Sequence, residues 1–141
     1  MVTVLSGLVG GLLATIAMTV VMMALGDDSP PPTAALWAKY VGDGAPDDYM
    51  PQGMALHMLY GVGAGAAFVV GAGVLGLGVG TLTGALLWAV AYAVVLTLVG
   101  MVFWMRIVLA MEPEPAMMGM FALFHAVYGV SLGVSVTLLP L

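Results

Sequence analysis

The chain has no cysteine and very little charge: two basic and seven acidic residues in 141, or 6%. Without cysteine there is no disulfide, no thiolate metal site and no c-type haem attached through Cys-x-x-Cys-His, so any cofactor must be held by other ligands. A soluble domain carries charge on roughly a quarter of its residues, and a chain at 6% cannot coat a water-facing surface. Two bases are also too few for nucleic acid, whose phosphates are bound by clustered Lys and Arg. The glycines of "GVGAGAAFVVGAGVLGLGVG" (61–80) lie in an apolar run and do not open a helix after a strand, so they form no phosphate loop. No serine has the partners of a catalytic triad.

What remains is apolar. Hydrophobic residues make up 63% of the chain and the mean hydropathy is +1.19. Four runs, at residues 4–25, 53–75, 80–104 and 116–139, each approach the ~20 residues that cross a hydrocarbon core. This predicts an all-α integral membrane protein, a four-helix bundle of multi-pass topology in contact with the lipid bilayer. The first run lacks a basic flank and exceeds the usual h-region of a signal peptide, so it reads as a retained helix. Every charged residue falls between the first and second runs or between the third and fourth, leaving the "GLGVGT" turn bare. Lys39 and Arg106 therefore place the charged loops in the cytoplasm by the positive-inside rule. The acidic, lysine-poor loops suit a halophilic source.

The chain also reads as a tandem repeat, with a first unit at 1–75 and a second at 76–141. "HMLYGVGAG" from His57 aligns with "HAVYGVSLG" from His125 at an offset of 68. "LVGGLLATIAMTVVMMALG" from Leu8 aligns with "LTGALLWAVAYAVVLTLVG" from Leu82 at an offset of 74, pairing Gly10 with Gly84 and Gly26 with Gly100. "LWAKYV" from Leu36 falls on "FWMRIV" from Phe103, pairing Lys39 with Arg106, once an acidic, proline-rich insertion at 27–33 is allowed for. Each unit crosses twice, so the two have parallel orientation and a symmetry axis along the membrane normal. Ser6-x-x-x-Gly10, Gly80-x-x-x-Gly84, Gly61-x-x-x-Gly65 and Gly129-x-x-x-Gly133 are expected packing faces.

The two histidines, His57 and His125, are the chain's only ones and occupy equivalent positions, one to two turns in from the charged side. An ionisable group within a span points to function. The sharpest expectation is one b-type haem, with His57 and His125 as its metal ligands. Tyr60 and Tyr128 would stand beside it, Gly61 and Gly129 would make room for the macrocycle, and Lys39 and Arg106 would pair with its propionates. Electron transfer in a respiratory or quinone-linked complex would follow. The same residues also suit an accessory subunit, with each histidine hydrogen-bonded to Tyr60, Tyr128, Ser131 or a backbone carbonyl, and with other membrane subunits or a homo-oligomer as partner. An oligomeric channel or transporter gated by histidine titration is the third reading. Zinc would need Glu112, Glu114, Asp47 or Asp48 to complete its shell. The 13 methionines suggest Cu(I), yet no Met-x-x-Met array recurs in both units, and packing accounts for them. "AALWAKYVG" reads as a short interfacial amphipathic segment.

The stretches "GLVGGLLATIAMTVVMMALGDD", "WAKYVGDGAPDDYMPQGMALHMLYG" and "FWMRIVLAMEPEPAMMGMFALFHAVYG" together resemble a family of small, uncharacterised four-helix membrane proteins from haloarchaea. The resemblance implies a membrane fold and a halophilic source, and no activity.

Overall fold

The computed structural model describes residues 2–139 and 141, and the described residues form helices without a strand. Helix α1 (Val4–Ala24) opens with a capping box, in which Thr3 Oγ1 accepts from the Ser6 amide at 3.2 Å and Ser6 Oγ accepts from the Thr3 amide at 2.9 Å. It stops at Gly26, where φ is +78°, with the Asp27 amide donating to Met22 O at 3.1 Å. Helix α2 (Pro32–Tyr40) starts on a proline, whose missing N–H is no loss in a first turn. A single 3₁₀ turn, Pro46–Tyr49, leads into α3 (Met50–Val74), which ends at Gly76 in the same left-handed cap. Helix α4 (Leu82–Gly100) runs on without a break as a π-helix, Met101–Val108, and α5 (Pro115–Leu138) follows.

Four helices are long and apolar enough to span a membrane: Val4–Ala24, Pro46–Val74, Leu82–Val108 and Pro115–Leu138. The four expected apolar helices are present, with two adjustments at the charged side. The second span begins several residues earlier than the hydropathy suggests, because Pro46, Asp47 and Asp48 are good first-turn residues. Gly26 and Gly100, paired by sequence, behave differently. Gly26 is followed by two aspartates and three prolines that forbid continuation, whereas Gly100 is followed by Met101–Val108 and stays helical at φ −65°.

The helix order is set by small residues. Helix α1 packs against both α3 and α5, α4 packs against α5, and α2 lies on α3. A Cβ built on Gly65 would come within 2.6 Å of Gly11 Cα, so α1 and α3 touch backbone to backbone. On the other side, a Cβ on Gly129 would lie 2.7 Å from Ala93 Cβ, and one on Gly133 would lie 3.0 Å from Ala85 O. Gly61-x-x-x-Gly65 and Gly129-x-x-x-Gly133 are thus packing faces as expected. Gly10 also packs, against Leu132 and Val136 of α5. Gly80-x-x-x-Gly84 is a correction: nothing lies within 4 Å of a Cβ on Gly80, and Gly84 sits over the preceding turn at Gly78. Helix α4 starts only at Leu82, so Gly80 has no helical face to present.

Two tyrosines tie the halves together. Tyr128 on α5 donates its hydroxyl to Gly61 O at 2.7 Å, and Tyr92 on α4 donates to Ala64 O at 3.0 Å. Both acceptors are α3 carbonyls, and the Tyr92 ring also stacks at a tilt on Phe68, 5.5 Å between centroids.

Candidate functional site

A cavity of about 660 Å³ opens between α1, α5, the π-helix and the loop before α2. Its rim is built from the loop after α1, with Asp27, Ser29 and Pro30, and from Met111 before α5, so it opens on the charged side. His57, Tyr60 and His125 line its inner end, and a void of about 10 Å³ beneath them is walled by Thr15, Gly61, Ala64, Leu96 and Tyr128. The two histidines, 68 residues apart, face one space.

His57 lies about two turns into its helix and His125 nearly three. His57 follows the start of α3 at Met50 by seven residues, and His125 follows the start of α5 at Pro115 by ten. At 1.5 Å per residue these are distances of about 10 and 15 Å along the helix axes. Among the described residues no three His, Cys, Asp or Glu side chains cluster as a metal group, so zinc finds no completed shell here.

Each histidine has one polar contact, and that of His125 fixes its tautomer. His125 Nδ1 lies 2.9 Å from Phe121 O. A carbonyl only accepts, so the proton is on Nδ1 and Nε2 carries a free lone pair. This is the backbone-anchored arrangement by which ligating histidines are commonly oriented. His57 Nε2 lies 3.4 Å from Thr19 Oγ1, whose own proton goes to Thr15 O at 2.8 Å. The Thr19 oxygen can therefore only accept, and the contact is longer than a normal bond, so it does not fix the His57 tautomer. His125 is held by a firm bond to the backbone, His57 by a weak, long contact.

Of the remaining expected site residues, Tyr60 lines the cavity and meets Trp104 edge-on at 5.6 Å. Tyr128 is buried and committed to Gly61 O. Gly61 and Gly129 do not open a slot for a macrocycle: their bare faces are filled by Thr15 and by Ala89 and Ala93. Lys39 and Arg106 are not at the rim either. Lys39 Nζ donates to Ile107 O at 2.9 Å, and Arg106 meets Glu112 at 3.5 Å with both side chains well exposed. Their helices turn them away from the cavity, which the residue spacing could not reveal.

Several lining residues carry no signal in the sequence. Trp104 and Met105 are buried on the π-helix, and Phe121 and Phe124 reach the cavity from α5. The proline-rich insertion, which reads as an interruption, supplies one wall through Asp27, Ser29 and Pro30–Thr33. The chain matches no protein-family model, no curated protein and no solved structure.

Proposed function

We propose that this protein is a small membrane subunit that holds one b-type haem between His57 and His125 and passes electrons within a respiratory or quinone-linked complex. The observation that supports it best is the pair of histidines on a shared cavity, with His125 Nε2 left free by its Nδ1 bond to Phe121 O. A cavity of about 660 Å³ is within the ordinary range for cofactor sites, and its lining is mostly apolar with few polar groups. The haem would supply a one-electron couple. The chain's own residues would hold it: His125 anchored by Phe121, His57 released from Thr19, and Tyr60 and Trp104 as an aromatic wall. Its carboxylates would emerge at the open, charged side and be solvated there, because Lys39 and Arg106 are engaged elsewhere.

The reading rests on a duplicated architecture, which the packing supports. The α1–α3 contact uses Gly11 and Thr15 against Gly65 and Gly61; the α4–α5 contact uses Ala85 and Ala89 against Gly133 and Gly129. The offsets between these pairs are the 74 and 68 of the sequence alignment. Both histidines then descend from one ancestral position, and the pair faces itself across the axis.

The accessory-subunit reading is favoured by one fact: each imidazole already has a partner within the chain. An absorption spectrum separates the two. Protein purified in mild detergent from haem-replete cells is expected to show a sharp reduced α-band at one haem per chain, lost in both His57→Ala and His125→Ala. A colourless, folded protein that also fails to take up added hemin would leave the accessory reading in place.

A further inference from the structure

The rim of the cavity carries a chemistry that the histidines do not use. Six of the chain's 13 methionines line the cavity, Met18 at its inner end and the others towards the mouth: Met18, Met22, Met105, Met111, Met117 and Met120. They come from α1, the π-helix, the loop beyond it and α5, so no local array announces them. Met18 and Met22 are four apart on α1, and Met117 and Met120 three apart on α5, spacings that put each pair on one helix face. On α5, Met117, Phe121 and His125 follow one another at four-residue steps, which stands the thioether about 12 Å above the imidazole on the same face.

Charge selects what such a rim could bind. Asp27 is the charged residue among those lining the cavity, and neither base lies there. Both bases lie on this side of the protein, as do all seven acids, and the field at the opening attracts cations. A hard divalent ion would need several oxygen donors, and the rim offers one carboxylate and a few hydroxyls. Neutral, polarizable thioethers suit Cu(I).

We propose that the mouth of the cavity is a Cu(I) site whose thioether donors come from Met22, Met111, Met117 and Met120. The ion is bound without change of oxidation state, and the proposal does not depend on what sits between the histidines. Methionine as mere filler makes the opposite prediction, since leucine fills the same volume without offering sulfur.

The test is a competition for Cu(I) between the purified full chain, kept anaerobic with ascorbate in mild detergent, and the chromophoric chelator bicinchoninate, with Ag(I) as a second soft probe. One Cu(I) per chain should be withheld from the chelator. The double variant Met117→Leu with Met120→Leu should weaken binding at least about tenfold, the lower end of what altered metal environments cause. Met23→Leu with Met118→Leu, both off the cavity, should leave it unchanged. In His57→Ala and His125→Ala the mouth should still hold Cu(I) while any haem band is lost, so the two proposals fail separately. Helical circular dichroism and elution volume establish that each variant is folded. Wild-type protein that yields all its copper to the chelator, or a folded Met117→Leu, Met120→Leu variant that binds as tightly as wild type, would overturn the site.

Discussion

At the scale of single residues, glycine has two different roles in the same helix. On α3, Gly61 and Gly65 face α1, while Gly63 and Gly71 have nothing within 4 Å of the point where a Cβ would stand. Gly65→Ala would push a methyl group into the α1 backbone at Gly11, which no rotamer can relieve; overpacking of this kind costs about 1–3 kcal/mol. Gly63→Ala should be neutral or slightly stabilising, because it removes chain entropy from the unfolded state without a clash. Thermal unfolding in detergent is expected to order them Gly63→Ala at or above wild type and Gly65→Ala well below. Equal melting of the two would mean that α1 and α3 do not approach backbone to backbone. This distinction is half legible in the sequence: the four-residue spacing of Gly61 and Gly65 marks a packing face, whereas nothing in the local sequence says that their space is taken by Thr15 and Gly11.

At the scale of elements, the lengths and apolar character of the spans can be read from hydropathy, because a helix in lipid must satisfy its backbone internally. The ends are harder. The π-helix at Met101–Val108 continues a run whose apolar signal fades at Arg106, and α2 is separated from α1 only by the insertion. The candidate site is legible as two histidines and a tyrosine, but its walls are not, since they are assembled from segments whose only relation is spatial. The cross-ties from Tyr128 and Tyr92 into α3 belong to this scale. Interhelical hydrogen bonds in membranes average about 0.6 kcal/mol, so Tyr128→Phe should lower stability by about that amount and leave the ring's packing intact. Combined with Tyr92→Phe, the loss should add, as the two acceptors are different carbonyls on different turns. Unfolding titrations of both single variants and the double would measure it.

At the scale of the whole molecule, sidedness decides which compartment the cavity serves. The opening shares its side with Lys39 and Arg106, and the positive-inside rule predicts that this side faces the cytoplasm. The cysteine-free chain makes this directly measurable. With a membrane-impermeant maleimide on intact cells, Gly78→Cys in the turn between α3 and α4 should label, and Asp43→Cys in the loop after α2 should label only after lysis. The reverse pattern would turn the protein over and open the cavity to the outside.

The packing order also has a consequence for how the chain is made. Helices α1 and α3 meet backbone to backbone and are synthesised in succession, so the first hairpin can close while the ribosome is still at work. Helix α4 emerges next and has its main partner in α5, which is not yet in the membrane. For that interval α4 faces lipid in place of its mate, as a helix so apolar can, and the cavity does not exist until the last span is in place.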